Sequence, residues 1–342
     1  MGTVTLKDIA ARAGVSLMTV SKVMRDAPDI SAETKTRIKL LAQQMGYVPD
    51  SVARGLRYRK TKLLGLVIPS IANPIFARMV MAIEDKAHEL GYELILAQTH
   101  NIPEREDSNI IRLLSRRVEG LLICPAYRPA DEVRTYRELQ HRGVPTVILG
   151  PTTSYCREFV NVECDDIGGS RAATQHLLKL GHTRIAFLTG PLLAPWAQRR
   201  LEGYRAALRE AGLELDDKLV FQAGSTIEDG TKAAQQMLAE SCNATAVQAA
   251  TDMAAIGCAE LLLKHNIAIP DTLSIVGFGN IMAAEYFRVP LTTVRQPKHG
   301  LGEAAFNVLT HLLGGKKPDP VQLGTELIIR ASTGPARTKT GQ

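Results

Sequence analysis

Residues 6–24 read LKDIAARAGVSLMTVSKVM, two short helical segments joined at a glycine. Leu6, Ile9, Ala10 and Ala13 recur at i, i+3, i+4 and i+7, which gives the first segment one apolar face. Thr5 stands where an N-cap is needed, with Asp8 placed for a weak capping box, and Gly14 suits the left-handed residue that ends a helix. Ser16 then caps the second segment, and Val15 is placed to staple onto Val20. At roughly 100° per residue the second helix turns Val20, Val23 and Met24 inward. Leu17, Met18, Ser21, Lys22 and Arg25 share the other face. A helix–turn–helix with hydroxyl, cationic and apolar groups on its second helix fits the major groove of DNA. A plain helical hairpin buried in an α-helical core has the same periodicity, so the surroundings must decide.

The charge distribution favours DNA. Residues 1–62 carry 12 of the 41 Lys and Arg and 5 of the 35 Asp and Glu, an excess of seven positive charges. The other 280 residues balance to within one charge, so all of the basic excess (net +6 for the whole chain) sits in the N-terminal sixth. That asymmetry points to an anionic polymer or surface as the partner of one end only. With 342 residues, 45% hydrophobic and 22% charged, the chain is long enough for two or three globular domains. No apolar run approaches the roughly 20 residues that span a bilayer. No signal peptide is visible, which predicts a cytoplasmic protein without membrane association. The five cysteines, Cys124, Cys156, Cys164, Cys242 and Cys258, have no metal-ligand spacing and read as reduced thiols; neither metal nor cofactor is expected.

Outward from the opening stretch, a third helix is expected after Ser31, with Glu33 in its first turn, Ile38, Leu41, Ala42 and Met45 inward, and Gly46 at its end. Three short helices make a very small core. Pro49 breaks the chain. Asp50 is placed to cap a short helix from Ser51 to Arg57, and Arg54, Arg57, Arg59, Lys60 and Lys62 make this a basic segment that folds on meeting DNA or a plain linker. From Leu63 continuous apolar strands alternate with amphipathic helices. Strands are expected at Leu63–Ile68, Glu93–Ala97, Gly120–Cys124, Thr146–Leu149, Phe159–Val162, Arg184–Thr189, Leu219–Gln222, Ala246–Ala250, Leu273–Phe278 and Leu327–Arg330, with helices between most of them. Parallel sheets covered on both faces read this way, and the number of units predicts two lobes of similar plan. Ligands sit beyond the carboxyl ends of such strands. The cleft should therefore be lined by loops 70–74, 125–128, 150–153, 190–200, 251–252 and 279–280.

TLKDIAARAGVSLMTVSKVM, ISAETKTRI, GYVPDSVARGL, LLGLVIPSIANPIF, DDIGGSRAATQHLLKLGHTRIAFLTG, RRLEGYRAAL, TDMAAIG, SIVGF and PLTTVRQP together resemble the lac repressor/galactose repressor family, in order, over nearly all of residues 3–334. The resemblance implies a homodimeric transcription regulator with a periplasmic-binding-protein-like core: residues 1–47 a DNA-binding headpiece, 48–62 hinge helix and linker, 63–161 with 292–325 a core N-lobe, and 162–291 with 326–342 a core C-lobe. It implies a pseudo-palindromic double-stranded operator. Leu17, Met18, Ser21 and Lys22 match positions that approach bases and phosphates, and Leu56 matches a hinge leucine that wedges into the minor groove. Leu17 and Met18 suit thymine methyl groups, and Lys22 a guanine. The candidate DNA contacts are Thr5, Ser16, Leu17, Met18, Thr19, Ser21, Lys22, Arg25, Ser31, Asp50, Ala53, Arg54 and Leu56.

The candidate effector contacts are Ser70, Asn73, Phe76, Tyr127, Trp196, Arg200, Thr251, Asn280 and Lys298. Arg200 matches the family arginine that binds ligand oxygens. Thr251 replaces a frequent asparagine, Gly279-Asn280 a frequent pair of aspartates, and Gly150 a frequent aspartate. A cleft poor in carboxylates, with Arg200 and Lys298, suggests an anionic effector, a sugar acid such as a hexonate or uronate. Trp196 either stacks on the ligand or covers the pocket floor; Lys298 either binds it or packs. A neutral sugar or a protein corepressor are the alternatives. A transport binding protein fits the core but not the basic front end. An enzyme is disfavoured, because Gly277-Phe-Gly279 lacks the third glycine of a dinucleotide fingerprint and no nucleophile elbow or phosphate loop is present. Asp165-Asp166 reads either as paired catalytic carboxylates or as a helix cap.

Overall fold

The computed structural model describes residues 4–48 and 61–337. The chain divides into two compact units, Met1–Thr61 and Lys62–Gln342. The hinge helix expected at 51–57, with Asp50, Ala53, Arg54 and Leu56, lies outside the described residues.

In the first unit α1 spans Leu6–Ala13, α2 Leu17–Val23 and α3 Ala32–Gln44. Thr5 and Asp8 form the complete capping box, not a weak one: Thr5 accepts from Asp8 N and its own N–H donates to Asp8 Oδ2 at 2.8 Å. Gly14 closes α1 at φ +67°, a conformation costly for any residue with a Cβ. Ser16 and Ser31 cap α2 and α3 by accepting from the backbone N–H three residues on. Ile9, Ala10, Val20, Val23, Ile38 and Ala42 are the buried core, flanked by half-buried Val15 and Met24. With so few apolar side chains, the caps carry a large share of what defines this unit.

The second unit holds two six-stranded sheets. Its elements run β1 Leu63–Ile68, α4 Pro74–Glu89, β2 Glu93–Gln98, α5 Pro103–Ser115, β3 Gly120–Ile123, α6 Arg134–His141, β4 Thr146–Leu149 and β5 Val160–Cys164. Then come α7 Asp166–Lys179, β6 Ile185–Thr189, α8 Pro195–Glu210, β7 Val220–Gln222, α9 Ile227–Ala239, β8 Ala246–Ala249, α10 Asp252–Lys264, β9 Ser274–Gly279 and α11 Met282–Tyr286. The chain ends with β10 Thr292–Arg295, α12 Lys298–Leu313, β11 Val321–Leu323 and β12 Glu326–Ile328. The first sheet, in the order β11-β5-β4-β3-β1-β2, is parallel throughout. The second, β12-β10-β9-β8-β6-β7, is parallel except for the antiparallel edge strand β12. Helices pack on each sheet; α7 and α8 approach so closely at Gly203 that a Cβ there would stand 2.3 Å from Ile167 O.

Two boundaries differ from the sequence reading. The expected lobe junction at 161/162 falls inside β5, which pairs with β4 and β11 in the first sheet. The expected return at 292 falls before β10, which pairs with β9 and so belongs to the second sheet; the return comes after Arg295. Strands β10 and β11 and helices α11 and α12 are not anticipated by the sequence reading. The three passages between sheets lie side by side. Asp165 N donates to Leu323 O at 2.9 Å, Thr325 Oγ1 to Asp165 O at 3.3 Å, and Gln296 Nε2 to Cys164 Sγ at 3.2 Å. Among the described residues this braid of 164–166, 296–298 and 324–325 is where the chain passes between the two sheets, so a rotation of one sheet against the other would pivot there.

Candidate DNA-binding and ligand-binding sites

On α2, Leu17 and Met18 are 51% and 59% exposed, although a soluble helix normally buries such side chains. The inward face is taken by Val20 and Val23, so the exposure follows from helical phase. Arg25 is exposed and its Nε donates to Ser21 O at 2.8 Å, which aims the guanidinium along the helix. Thr19 is half-buried with its hydroxyl 2.9 Å from that of Ser16. Lys22 is not free: its ammonium is bonded to Asp29, which holds that carboxyl below the usual range. A solvent-exposed pair of this kind is weak and exchanges readily for a phosphate or a base edge. Thr5, Ser16 and Ser31 are exposed at helix starts, where free backbone N–H groups favour anions.

In the second unit Arg200 is 4% exposed on the first turns of α8. Its Nε and Nη2 both reach Asp166 Oδ1, at 2.8 and 2.7 Å, and Nη1 donates to Ala250 O at 2.5 Å. The guanidinium carbon lies 3.6 Å from the Phe278 ring centroid and 4.7 Å from that of Trp196. Trp196 in turn rests on Gly190, where a Cβ would meet the indole at 2.5 Å. Burial pushes the Asp166 carboxyl upward, and Arg200 works against that shift. Asp165 caps α7 through Gly168 N at 2.8 Å, so the Asp165-Asp166 pair divides into a cap and an arginine partner and does not form a carboxylate dyad.

The remaining expected contacts are largely occupied. Asn73 caps α4 through Ile75 N, Ser70 Oγ accepts from Ala72 N, and Thr251 caps α10 through Ala254 N. Phe76 packs against the first-lobe core. Tyr127 donates to Pro151 O at 2.9 Å and lies 3.4 Å from where a Cβ at Gly150 would be, so the phenol fills the space an aspartate would need there. The loop carrying Tyr127 is fixed by fully buried Glu106, which accepts from Ala126 N at 2.5 Å and Arg128 Nη2 at 2.8 Å. Asn280 Oδ1 accepts from Arg330 Nη2 at 2.8 Å. Lys298, expected either to bind the ligand or to pack, donates to Gly279 O and Asn280 O at 2.6 and 2.9 Å.

Two buried carboxylates stand beside these residues. Asp166 and Asp252, 3% and 1% exposed, stand at the carboxyl ends of strands. Asp252 accepts from Ile281 N at 2.9 Å and from Thr293 Oγ1, and its Oδ2 lies 3.2 Å from where a Cβ at Gly279 would be. An aspartate at 279 would place a second carboxylate against Asp252; the glycine avoids that repulsion. Neither Asp166 nor Asp252 stood among the expected contacts. The signal available was an acidic residue just after a residue already spent as a cap, Asp165 or Thr251. Thr189 Oγ1 at the end of β6 and Gln296 Oε1 past β10 are buried without a hydrogen-bond partner, acceptor and donor capacity that a polar ligand would use. Among the described residues no helix is long and apolar enough to cross a membrane, and no cluster of three or more His, Cys, Asp or Glu has metal-binding geometry.

Known proteins agree with this organisation. The profile of bacterial regulatory proteins of the lacI family matches residues 5–50, and that of the periplasmic binding protein-like domain matches residues 174–333. The transcriptional regulator DegA of Bacillus subtilis is 31% identical over 98% of this chain and 99% of its own length. The ribose operon repressor of Escherichia coli K12 is 33% identical over 90% of this chain and 92% of its own. Among solved structures, a lac repressor dimer bound to operator and an anti-inducer superposes with a TM-score of 0.87 at 26% identity, covering 97% and 100% of the two chains. The regulator CelR in complex with cellobiose gives 0.72 at 30% identity, covering 96% and 99%. These relatives are regulators rather than enzymes. With a helix–turn–helix in its N-terminal residues and a two-sheet unit following in sequence, the chain belongs to the lacI family of DNA-binding transcription regulators.

Proposed function

We propose that the chain is a cytoplasmic homodimeric repressor that binds a pseudo-palindromic operator through α2 and releases it when a small polar effector binds between the core lobes. Leu17, Met18, Ser21, Lys22 and Arg25 read the major groove, and Leu56 wedges into the minor groove from a hinge within 48–62. The observation that carries the DNA half is the pair of large apolar side chains left in solvent on α2. Ligand and operator each favour one lobe arrangement, so each alters the affinity of the other.

For the effector, Arg200 supports a ligand rich in oxygens, held beside the Trp196 and Phe278 rings. A sugar acid such as a hexonate or uronate uses the guanidinium for its carboxylate. Asp166 favours a second reading: it already offsets the charge of Arg200 and offers an acceptor for hydroxyls, which suits a neutral sugar of the kind named for the ribose operon repressor or seen as cellobiose in CelR. Isothermal titration of the full-length protein with gluconate, ribose and cellobiose separates the two. Tighter binding of gluconate, lost in Arg200→Ala, supports the acid; tighter binding of a neutral sugar, or no effect of the substitution, overturns it.

A further inference from the structure

Lys298 opens α12, which packs against α4 and the first sheet, yet its ammonium is spent on the second lobe. Its two acceptors are Gly279, the last residue of β9 and paired with Arg295, and Asn280 just beyond it, at φ +138° and +48°. Two successive carbonyls thus converge on one ammonium, at 2.6 and 2.9 Å. The acceptor loop is itself rigid: Asn280 N donates to Thr293 Oγ1, Ile281 N to Asp252, and the Asn280 carboxamide accepts from Arg330. Ile75 from the start of α4 packs against the second-lobe core beside the same loop. Lys298 is also the first residue past the Arg295–Pro297 passage, so its side chain spans the lobes within one residue of the pivot.

We infer that Lys298 is a built-in tether that holds the two lobes in the arrangement seen here, a positioning residue and not an effector ligand. A charged donor shared by two backbone carbonyls makes a charge-assisted bond, stronger than a neutral one. Placed at the pivot, it biases the lobe equilibrium as a bound ligand would, and any effector that rotates the lobes must break or replace those two bonds. This rests on the proposed coupling between lobe arrangement and operator affinity, but the tether itself is readable without DNA. Trp196 is the sole tryptophan and lies over Arg200, which bonds Asp166 in the 164–166 passage, so its emission responds to a change at the pivot.

The experiment compares full-length wild type, Lys298→Met and Lys298→Arg, each first checked for native circular dichroism. Expected for Lys298→Met is a shifted Trp196 emission in the ligand-free state and operator affinity weakened about tenfold; Lys298→Arg, which keeps two donors, stays within about threefold of wild type. A folded Lys298→Met with unchanged Trp196 emission overturns the tether. A shifted emission with unchanged operator affinity supports the tether and overturns the coupling assumed for the function. Arg failing to rescue while Met and Arg share one emission spectrum also overturns it, since a merely bulky role would then suffice.

Discussion

In residues 4–48 several groups expected to touch a partner, Leu17, Met18 and Arg25 among them, project into solvent, whereas in residues 61–337 the expected contacts are buried or half-buried and mostly already bonded. Leu17 and Met18 are more than half exposed; Arg200 is 4% exposed and saturated on one edge by Asp166. The difference follows from what each end meets. A duplex is a broad surface that a small helical unit can approach only with side chains outside its core. A small ligand is enclosed, and a buried polar group without a partner is expensive, so the protein must satisfy its own site before the ligand arrives. The front end therefore separates binding from stability, and the rear end joins them.

The strongest way to break this contrast is at Arg200. Arg200→Met leaves Asp166 buried without its cation, and the unfolding free energy should fall by about 3–5 kcal/mol. Adding Asp166→Leu should recover much of that loss, because an apolar pair replaces the ionic one. Thermal unfolding of both variants checks this; a single substitution costing no more than a surface change would show that the site is not prebuilt.

His182 is the next test. It is 2% exposed, bonded on one side to Thr245 and on the other to Ser274 and Gly334 O, which pins residues 332–336 onto the second sheet. Burial holds its pKa below the ordinary 6.5. The unfolded chain therefore takes the proton first as the pH falls. The stability from neutral His182 is complete above pH 6.5 and declines as the pH drops from there toward the folded-state value. His182→Ala should cost about 1–3 kcal/mol by orphaning those partners, and should flatten the pH profile of the melting temperature below 6.5. An unchanged profile would assign the acid sensitivity elsewhere.

The smallest effect on stability sharpens the contrast from the other side. Leu17→Ala with Met18→Ala should change the unfolding free energy by no more than about 0.5 kcal/mol, since neither side chain is in the core. Operator affinity, measured by fluorescence anisotropy at fixed salt, should fall at least tenfold. A large loss of stability instead would place these side chains in packing.

The fold was readable where physics is local. Strands such as Leu64–Ile68 are continuously apolar because both faces are covered, and the caps at Thr5, Ser16 and Ser31 act within three residues. What stayed hidden depends on distant partners. Thr292 and Thr293 make β10 look polar, but their hydroxyls are satisfied by Arg330 O and Asp252, residues far off in sequence. Arg200 was singled out by its motif, while its partner Asp166, 34 residues earlier, is marked only by following the cap Asp165. For Lys298 the sequence left ligand binding and packing both open, because its acceptors, the Gly279 and Asn280 carbonyls, lie about twenty residues away and carry no side-chain signal.

Selection of genomic DNA fragments by purified full-length protein, repeated at rising salt, tests the central claim most directly. The account predicts enrichment of a few pseudo-palindromic sites over random sequence, with affinity falling steeply as salt neutralises the phosphate contacts. Equal retention of genomic and random fragments, or an affinity insensitive to salt, would contradict it.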